Sequence, residues 1–152
     1  MSRSVLFVCT GNTCRSPMAE RIFTALARKA GLNWTGSSAG THAAPGMPMT
    51  RLAASVVAER GLDAEEHRAR PVDAGMLEAA DSVLVMQAAQ RERLVARFPQ
   101  FASKISLLAG TADIEDPVGG DAAKYASCAA AIEAALQTIV LREKEAYAQN
   151  PR

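Results

Sequence analysis

The chain has 152 residues, 49% of them apolar and 22% charged. That suits one folded domain around one ordinary core, 1–152, and excludes a disordered chain or a multidomain machine. Seventeen basic side chains against sixteen acidic ones leave a formal charge of +1, too little for a global field that gathers nucleic acid, an anionic membrane or a polyacid.

An anion, if bound, must therefore be met locally. Aromatic residues make up only 5%, which weakens any reading based on base stacking. The cysteines, Cys9, Cys14 and Cys128, are odd in number, and the apolar run Val5 to Val8 is too short for a leader or a membrane span. A cytoplasmic, thiol-keeping protein is expected. Cys9, Cys14 and Cys128 together with the separated His42 and His67 lack the spacing of a zinc site, so no metal is expected.

In chain order, Ser4 to Cys9 reads as a buried strand that ends in the turn cluster Thr10-Gly-Asn-Thr13. A helix follows from Ser16 to about Ala30, with Pro17 in its first turn, Gly31 as its stop, and Met18, Ile22, Leu26 and Ala30 on one face. Trp34 to Ala39 is a second strand, and Gly40 to Pro48 a loop. Thr50 to Arg60 is a helix with Leu52, Val56 and Val57 inward. Residues 61–71 read as a solvated basic loop, Asp73 to Ala80 as a short helix, and Asp81 to Met86 as a buried strand. The charged helix Gln87 to Phe98 ends before Pro99, and Ile105 to Leu108 is the last strand. From Asp121 to about Ala148 the alanine-rich pattern Ala126, Ala130, Ala134, Ile139 and Leu141 predicts one long helix, with Cys128 expected in the core. Such alternation predicts an α/β fold, a parallel sheet covered on both faces, with its ligand site at the carboxyl ends of the strands.

The first strand ends in Cys9-Thr10-Gly11-Asn12-Thr13-Cys14-Arg15-Ser16. A loop of this length between a strand and a helix can curl its N–H groups onto one point, a nest for a phosphoryl group at a helix N-terminus. Gly11 permits close approach, and Asn12 is a residue type that tolerates positive φ. Arg15 can close the ring with a bidentate fork. Cys9 would lie beneath the anion as a thiolate nucleophile, and Ser16 could donate to its sulfur. No Gly-Lys-Ser/Thr follows the glycine, which excludes a nucleotide-binding P-loop. Two displacements on phosphorus also need an acid that then serves as base. Asp116, stiffened by Pro117, sits just after the last strand and is the candidate.

These pieces resemble the low-molecular-weight protein tyrosine phosphatases over the whole chain: Val5 to Glu20, Ser38-Ala39-Gly40 and Asp116-Pro117. The resemblance implies a four-stranded parallel sheet flanked by helices and no metal or cofactor. It also implies Cys9 as nucleophile, Arg15 as phosphate clamp, Asp116 as general acid and then base, Asn12 as loop-shaping residue and Ser16 as thiolate stabiliser. The cradle and Asp116-Pro-Val-Gly-Gly120 are closer to the bacterial protein arginine phosphatases, with Thr13 matching that branch's specificity residue; Val118 departs from it where an aromatic can stand. The segments Thr41-His-Ala-Ala44 and Val118-Gly-Gly120 present no ring to a phosphotyrosine. Phosphoarginine in proteins is therefore the expected substrate and phosphotyrosine the alternative. An arsenate reductase lacks its extra cysteines here, and a silent phosphoprotein-binding module is disfavoured by Cys9, Arg15 and Asp116 standing together. Cys14 is a candidate redox partner of Cys9. His42 and His67 are read as surface or loop residues.

Overall fold

The computed structural model describes residues 2–150. Its elements are β1 (Arg3–Cys9), α1 (Arg15–Lys29), β2 (Trp34–Gly40), α2 (Arg51–Glu59), α3 (Ala74–Ala79), β3 (Ser82–Val85), α4 (Ala88–Arg97), β4 (Ile105–Leu107) and α5 (Ala122–Gln149), with a short 3-10 turn at Pro99–Lys104 that the sequence reading did not anticipate. The four strands are all parallel in the order β2-β1-β3-β4, with Cys9 opposite Gly40 and Val8 opposite Val85.

β1 is central, and its continuous apolar run is what a strand buried on both faces requires. Val5, Phe7 and Cys9 join Met18, Phe23, Val57, Ile132 and Leu136 under α1, α2 and α5. Leu6 and Val8 point the other way and join Leu77, Val83, Val85 and Leu94 under α3 and α4. Phe7 and Phe23 meet edge to face with centroids 5.4 Å apart. Burying each such side chain stabilises the fold by about 1.5–3 kcal/mol.

On α5 Cys128 is buried as expected, but the alanine spacing does not mark the buried face. Ala126, Ala130, Ala134 and Leu141 are exposed, while Tyr125, Cys128, Ala129, Ile132, Leu136 and Val140 are buried. In an alanine-rich helix the face with the larger side chains wins, because an alanine methyl removes little apolar area from water.

The strand order reverses at β1, since β2 lies on one side of it and β3 on the other. That switch point opens a crevice at the carboxyl ends of the strands, where loops diverge. The loops after β1, β2, β3 and β4 all converge there. No helix among the described residues is long and apolar enough to cross a membrane.

Candidate active site

Cys9 ends β1 and is 1% exposed. Its Sγ lies 2.9 Å from Ser16 Oγ and receives the Ser16 backbone N–H at 3.4 Å. Asn12 has φ 56°, the left-handed conformation expected of it, which turns the loop back over the sulfur. Asn12 Nδ2 donates to Ser16 Oγ at 2.8 Å. The serine's own proton has two acceptors in reach, the sulfur at 2.9 Å and Ala39 O at 3.5 Å, and the sulfur is the nearer.

The loop's carbonyls are drawn outward. Thr41 N–H donates to Cys9 O, His42 N–H to Thr10 O and Thr50 N–H to Thr13 O, each at 2.9 Å. Asn12 O lies 2.6 Å from His67 Nε2, and because a carbonyl only accepts, that ring nitrogen carries the proton. Asn12 Oδ1 accepts from Arg70 N–H at 3.0 Å. Among the described residues no protein acceptor meets the N–H groups of Gly11, Asn12, Thr13 or Cys14. Carbonyls tied back and N–H groups left free make a concave anion nest.

Arg15 is 1% exposed. Its Nη1 donates to Gln87 Oε1 and Ile114 O, both at 2.9 Å, and its Nη2 lies 3.5 Å from Asp116 Oδ2. Its Nε is buried without a partner. A guanidinium N–H held out of water and left unpaired costs about 1–3 kcal/mol or more, so this donor is placed for an acceptor that enters the nest. Asp116 keeps 44% of its side chain exposed, with Oδ1 accepting from Val118 N–H at 3.1 Å and facing Cys14 Sγ at 3.8 Å. The carboxylate thus stands at the mouth, reachable from solvent, beside the clamp.

Cys14 is buried, and desolvation, helped by the neighbouring Cys9 and Asp116, pushes its thiol up to about 12. Burial likewise pushes the Cys128 thiol up to about 11. Both remain neutral thiols at physiological pH. Thr10, Gly11, Asn12, Thr13, Cys14, Arg15 and Ser16 are brought together around Cys9 as the sequence reading requires. Asp116 joins them from a loop 101 residues beyond Arg15 (116 − 15).

His67 corrects that reading. It is buried, 5% exposed, and holds the back of the cradle rather than lying in a solvated loop. Its partner is 55 residues away, so nothing local marks it. His42 is exposed and touches Thr41. Gly40 was noticed only as part of a motif; a Cβ there would lie 2.6 Å from Thr10 O and 3.0 Å from Asn12 N. Gln87 and Gln90, on the first residues after β3, were missed. The signal available for them was their position at the carboxyl end of a central strand.

Such a cradle can bind a tetrahedral oxyanion, present a sulfur nucleophile below it and a carboxyl group above it. The family model for low molecular weight phosphotyrosine protein phosphatases matches residues 4–149. A protein-arginine-phosphatase of Bacillus subtilis is 33% identical over 146 residues, 93% of this chain and 97% of that one. A probable low molecular weight protein-tyrosine-phosphatase, EpsP, of Ralstonia solanacearum is 39% identical over 77% of this chain and 79% of its own. Among solved structures, the YwlE arginine phosphatase of Geobacillus stearothermophilus superposes with a TM-score of 0.91 at 30% identity, covering 99% of this chain and 98% of that one. With the fold, the cradle and these likenesses in agreement, the chain belongs to the low molecular weight phosphotyrosine protein phosphatase family and is a cysteine-dependent protein phosphatase.

Proposed function

We propose that this enzyme hydrolyses phosphoarginine residues of cytoplasmic proteins through a phosphocysteine intermediate. The observation that carries the reading is the rim. Thr41-His-Ala-Ala44 and Val118-Gly-Gly120 border the cradle without a phenylalanine, tyrosine or tryptophan, and Val118 is 60% exposed. A phosphotyrosine would forgo stacking worth about 0.5–1.5 kcal/mol per aromatic pair. A guanidinium, in contrast, carries N–H donors that the half-exposed Asp116 carboxylate can accept. The arginine phosphatases of Bacillus subtilis and Geobacillus stearothermophilus support the same choice.

In the proposed mechanism the Cys9 thiolate attacks phosphorus, and the P–S bond forms as the bond to the leaving nitrogen breaks. Asp116 protonates the departing guanidine. Asp116 then takes a proton from water, which attacks the phosphocysteine and expels the thiolate, a better leaving group for the Ser16 hydroxyl on its sulfur. The loop N–H groups and the Arg15 fork hold the equatorial oxygens throughout.

Side-by-side kinetics on phosphoarginine and phosphotyrosine peptides test the substrate. A higher kcat/KM on phosphoarginine is expected, and the reverse order would establish the tyrosine alternative. Thr13 is the proposed selector; it stands at the cradle's edge, its carbonyl held by Thr50. Thr13→Ile should shift the ratio toward phosphotyrosine, and an unchanged ratio would remove it as determinant.

Gly40→Ala probes the cradle itself. Because its Cβ would press on the Thr10 carbonyl oxygen and the Asn12 N–H, the loop must move. Displacements near 1 Å cost about a hundredfold in rate. Turnover of an aryl phosphate is expected to fall by about that factor, whereas wild-type turnover would show that the loop has slack.

Cys14 is proposed as a redox partner. Peroxide converts the Cys9 thiolate to a sulfenic acid, and attack by the Cys14 thiolate on that sulfur forms the disulfide and expels hydroxide, which solvent protonates to water. Since the Cys14 thiol is pushed up to about 12, its thiolate fraction is small at neutrality and grows with pH. The yield of the Cys9 to Cys14 bridge should therefore rise as pH is raised above neutral, at the expense of overoxidised Cys9. Peptide mass mapping after peroxide reads both; a yield independent of pH would contradict it.

A further inference from the structure

We infer that Gln87, at the N-terminus of α4, selects which edge of the Arg15 guanidinium faces the oxyanion and, being uncharged, sets no second negative charge beside it. The inference rests on the proposed role of Arg15 as phosphate clamp.

A guanidinium has two N–H groups on each terminal nitrogen and one on Nε. Arg15 Nη1 is fully occupied, by Gln87 Oε1 and Ile114 O at 2.9 Å each. Nη2 stands in an ion pair with Asp116 Oδ2, 3.5 Å away, without a hydrogen bond. What remains is the Nε hydrogen and the Nη2 hydrogen parallel to it on the same edge. That pair is the fork that meets two phosphoryl oxygens, and Nε is the buried donor without a partner. Anchoring Nη1 on the far side is what turns this edge inward.

Gln87 is itself held. Gln90, 2% exposed, accepts the Met86 and Gln87 N–H groups on its Oε1, both at 3.0 Å, and donates from Nε2 to Thr10 Oγ1 at 3.1 Å. The turn after β3 is thereby tied to the cradle and to the clamp at once, and the backbone that carries Gln87 cannot shift without breaking the bonds of Met86 and Gln87 N–H to Gln90. The acceptor is an amide. A carboxylate at the same place would give the same hydrogen bond but would oppose the charge that attracts the dianion and the thiolate. Asp116 is then the single acidic side chain paired with Arg15 among the described residues, and it sits at the mouth, where protonation during the cycle changes its charge.

Gln87 is a positioning residue, and orientation and charge are separable by substitution. Gln87→Met removes the acceptor at similar volume. The expected result is a loss of about tenfold or more in kcat/KM for p-nitrophenyl phosphate and a matching rise in Ki for inorganic phosphate, the factor that a lost charge-assisted hydrogen bond carries. Gln87→Glu restores the acceptor, so kcat should return to within a few-fold of wild type, while Ki for inorganic phosphate and KM stay raised. In an Arg15→Lys background, which has no fork to aim, Gln87→Met should not weaken phosphate binding further. Wild-type kinetics for Gln87→Met would overturn the positioning role. Wild-type phosphate affinity for Gln87→Glu would overturn the charge argument. A further loss in the Arg15→Lys background would assign Gln87 a merely structural role. Failure of the parent enzyme to hydrolyse p-nitrophenyl phosphate would instead overturn the function on which the inference rests.

Discussion

Replacing Cys9 by serine is expected to abolish turnover on phosphoarginine and aryl phosphates alike while leaving the binding of inorganic phosphate intact. A serine hydroxyl is scarcely ionised near neutrality, and its oxygen is a poor nucleophile without an adjacent base. Among the described residues no histidine or carboxylate contacts the Cys9 sulfur; its neighbours are the Ser16 hydroxyl and the Ser16 N–H, which can donate to it. Those donors stabilise an anion and cannot take a proton from a hydroxyl. The loss should therefore be about 10⁴-fold or more, as for removal of a covalent nucleophile elsewhere. The free N–H groups of Gly11 to Cys14 and the Arg15 fork remain, so phosphate should still bind the variant, because the donors that hold it are unchanged. Stopped-assay turnover and calorimetric phosphate binding check the two halves. Residual turnover near the wild-type rate would remove Cys9 as nucleophile; loss of phosphate binding together with turnover would mean only that the cradle had collapsed.

The strand, loop and helix from Ser4 to Ala30 could be read from residues alone because every signal there is local. An apolar run long enough for one strand meets Gly11 and Asn12 at the turn and Pro17 in the first helical turn. The left-handed φ of Asn12 followed from its residue type. Asp116 was within reach of the same reasoning by a longer route, since a parallel α/β sheet brings all strand ends to one side. Arg15 and Asp116 then meet at 3.5 Å.

Residues whose role depends on which strands are neighbours could not be read that way. Gln87 looks like an ordinary polar residue opening a charged helix, and becomes a partner of Arg15 only because β3 lies beside β1. His67 sits among arginines in a segment with no regular periodicity, and its burial comes from closure of that segment against Asn12. On α5 the regular alanine spacing marks the helix but not its buried face, since residues of one size give a helix no preferred face until Ile132, Leu136 and Val140 are weighted by area. On α4, the charged pattern gives no local sign that Arg91 donates to Ile105 O at 2.8 Å across the 3-10 turn. In each of these cases the missing information is a tertiary neighbour rather than a propensity.

Asp116→Asn should divide the reaction by its leaving group. An amide has no proton to give at this position and cannot take one from water, so both displacements lose their acid or base, a contribution of about 10²–10⁴-fold for general catalysis. A p-nitrophenolate departs readily without protonation; a guanidine from phosphoarginine does not. The fall in kcat/KM is thus expected to be large, about 10² or more, on phosphoarginine peptides and much smaller on p-nitrophenyl phosphate. The second step needs the base whatever the substrate, so the phosphocysteine should accumulate in the variant and be trappable by rapid acid quench. Binding should move the other way. Asp116 Oδ2 stands 3.5 Å from Arg15 Nη2, and removing that carboxylate charge from beside the clamp leaves more of the guanidinium's field for the dianion. Inorganic phosphate should therefore inhibit Asp116→Asn more strongly than it inhibits the wild type. A uniform loss on both substrates, with weaker phosphate binding, would show that Asp116 serves to hold Arg15 rather than to move protons.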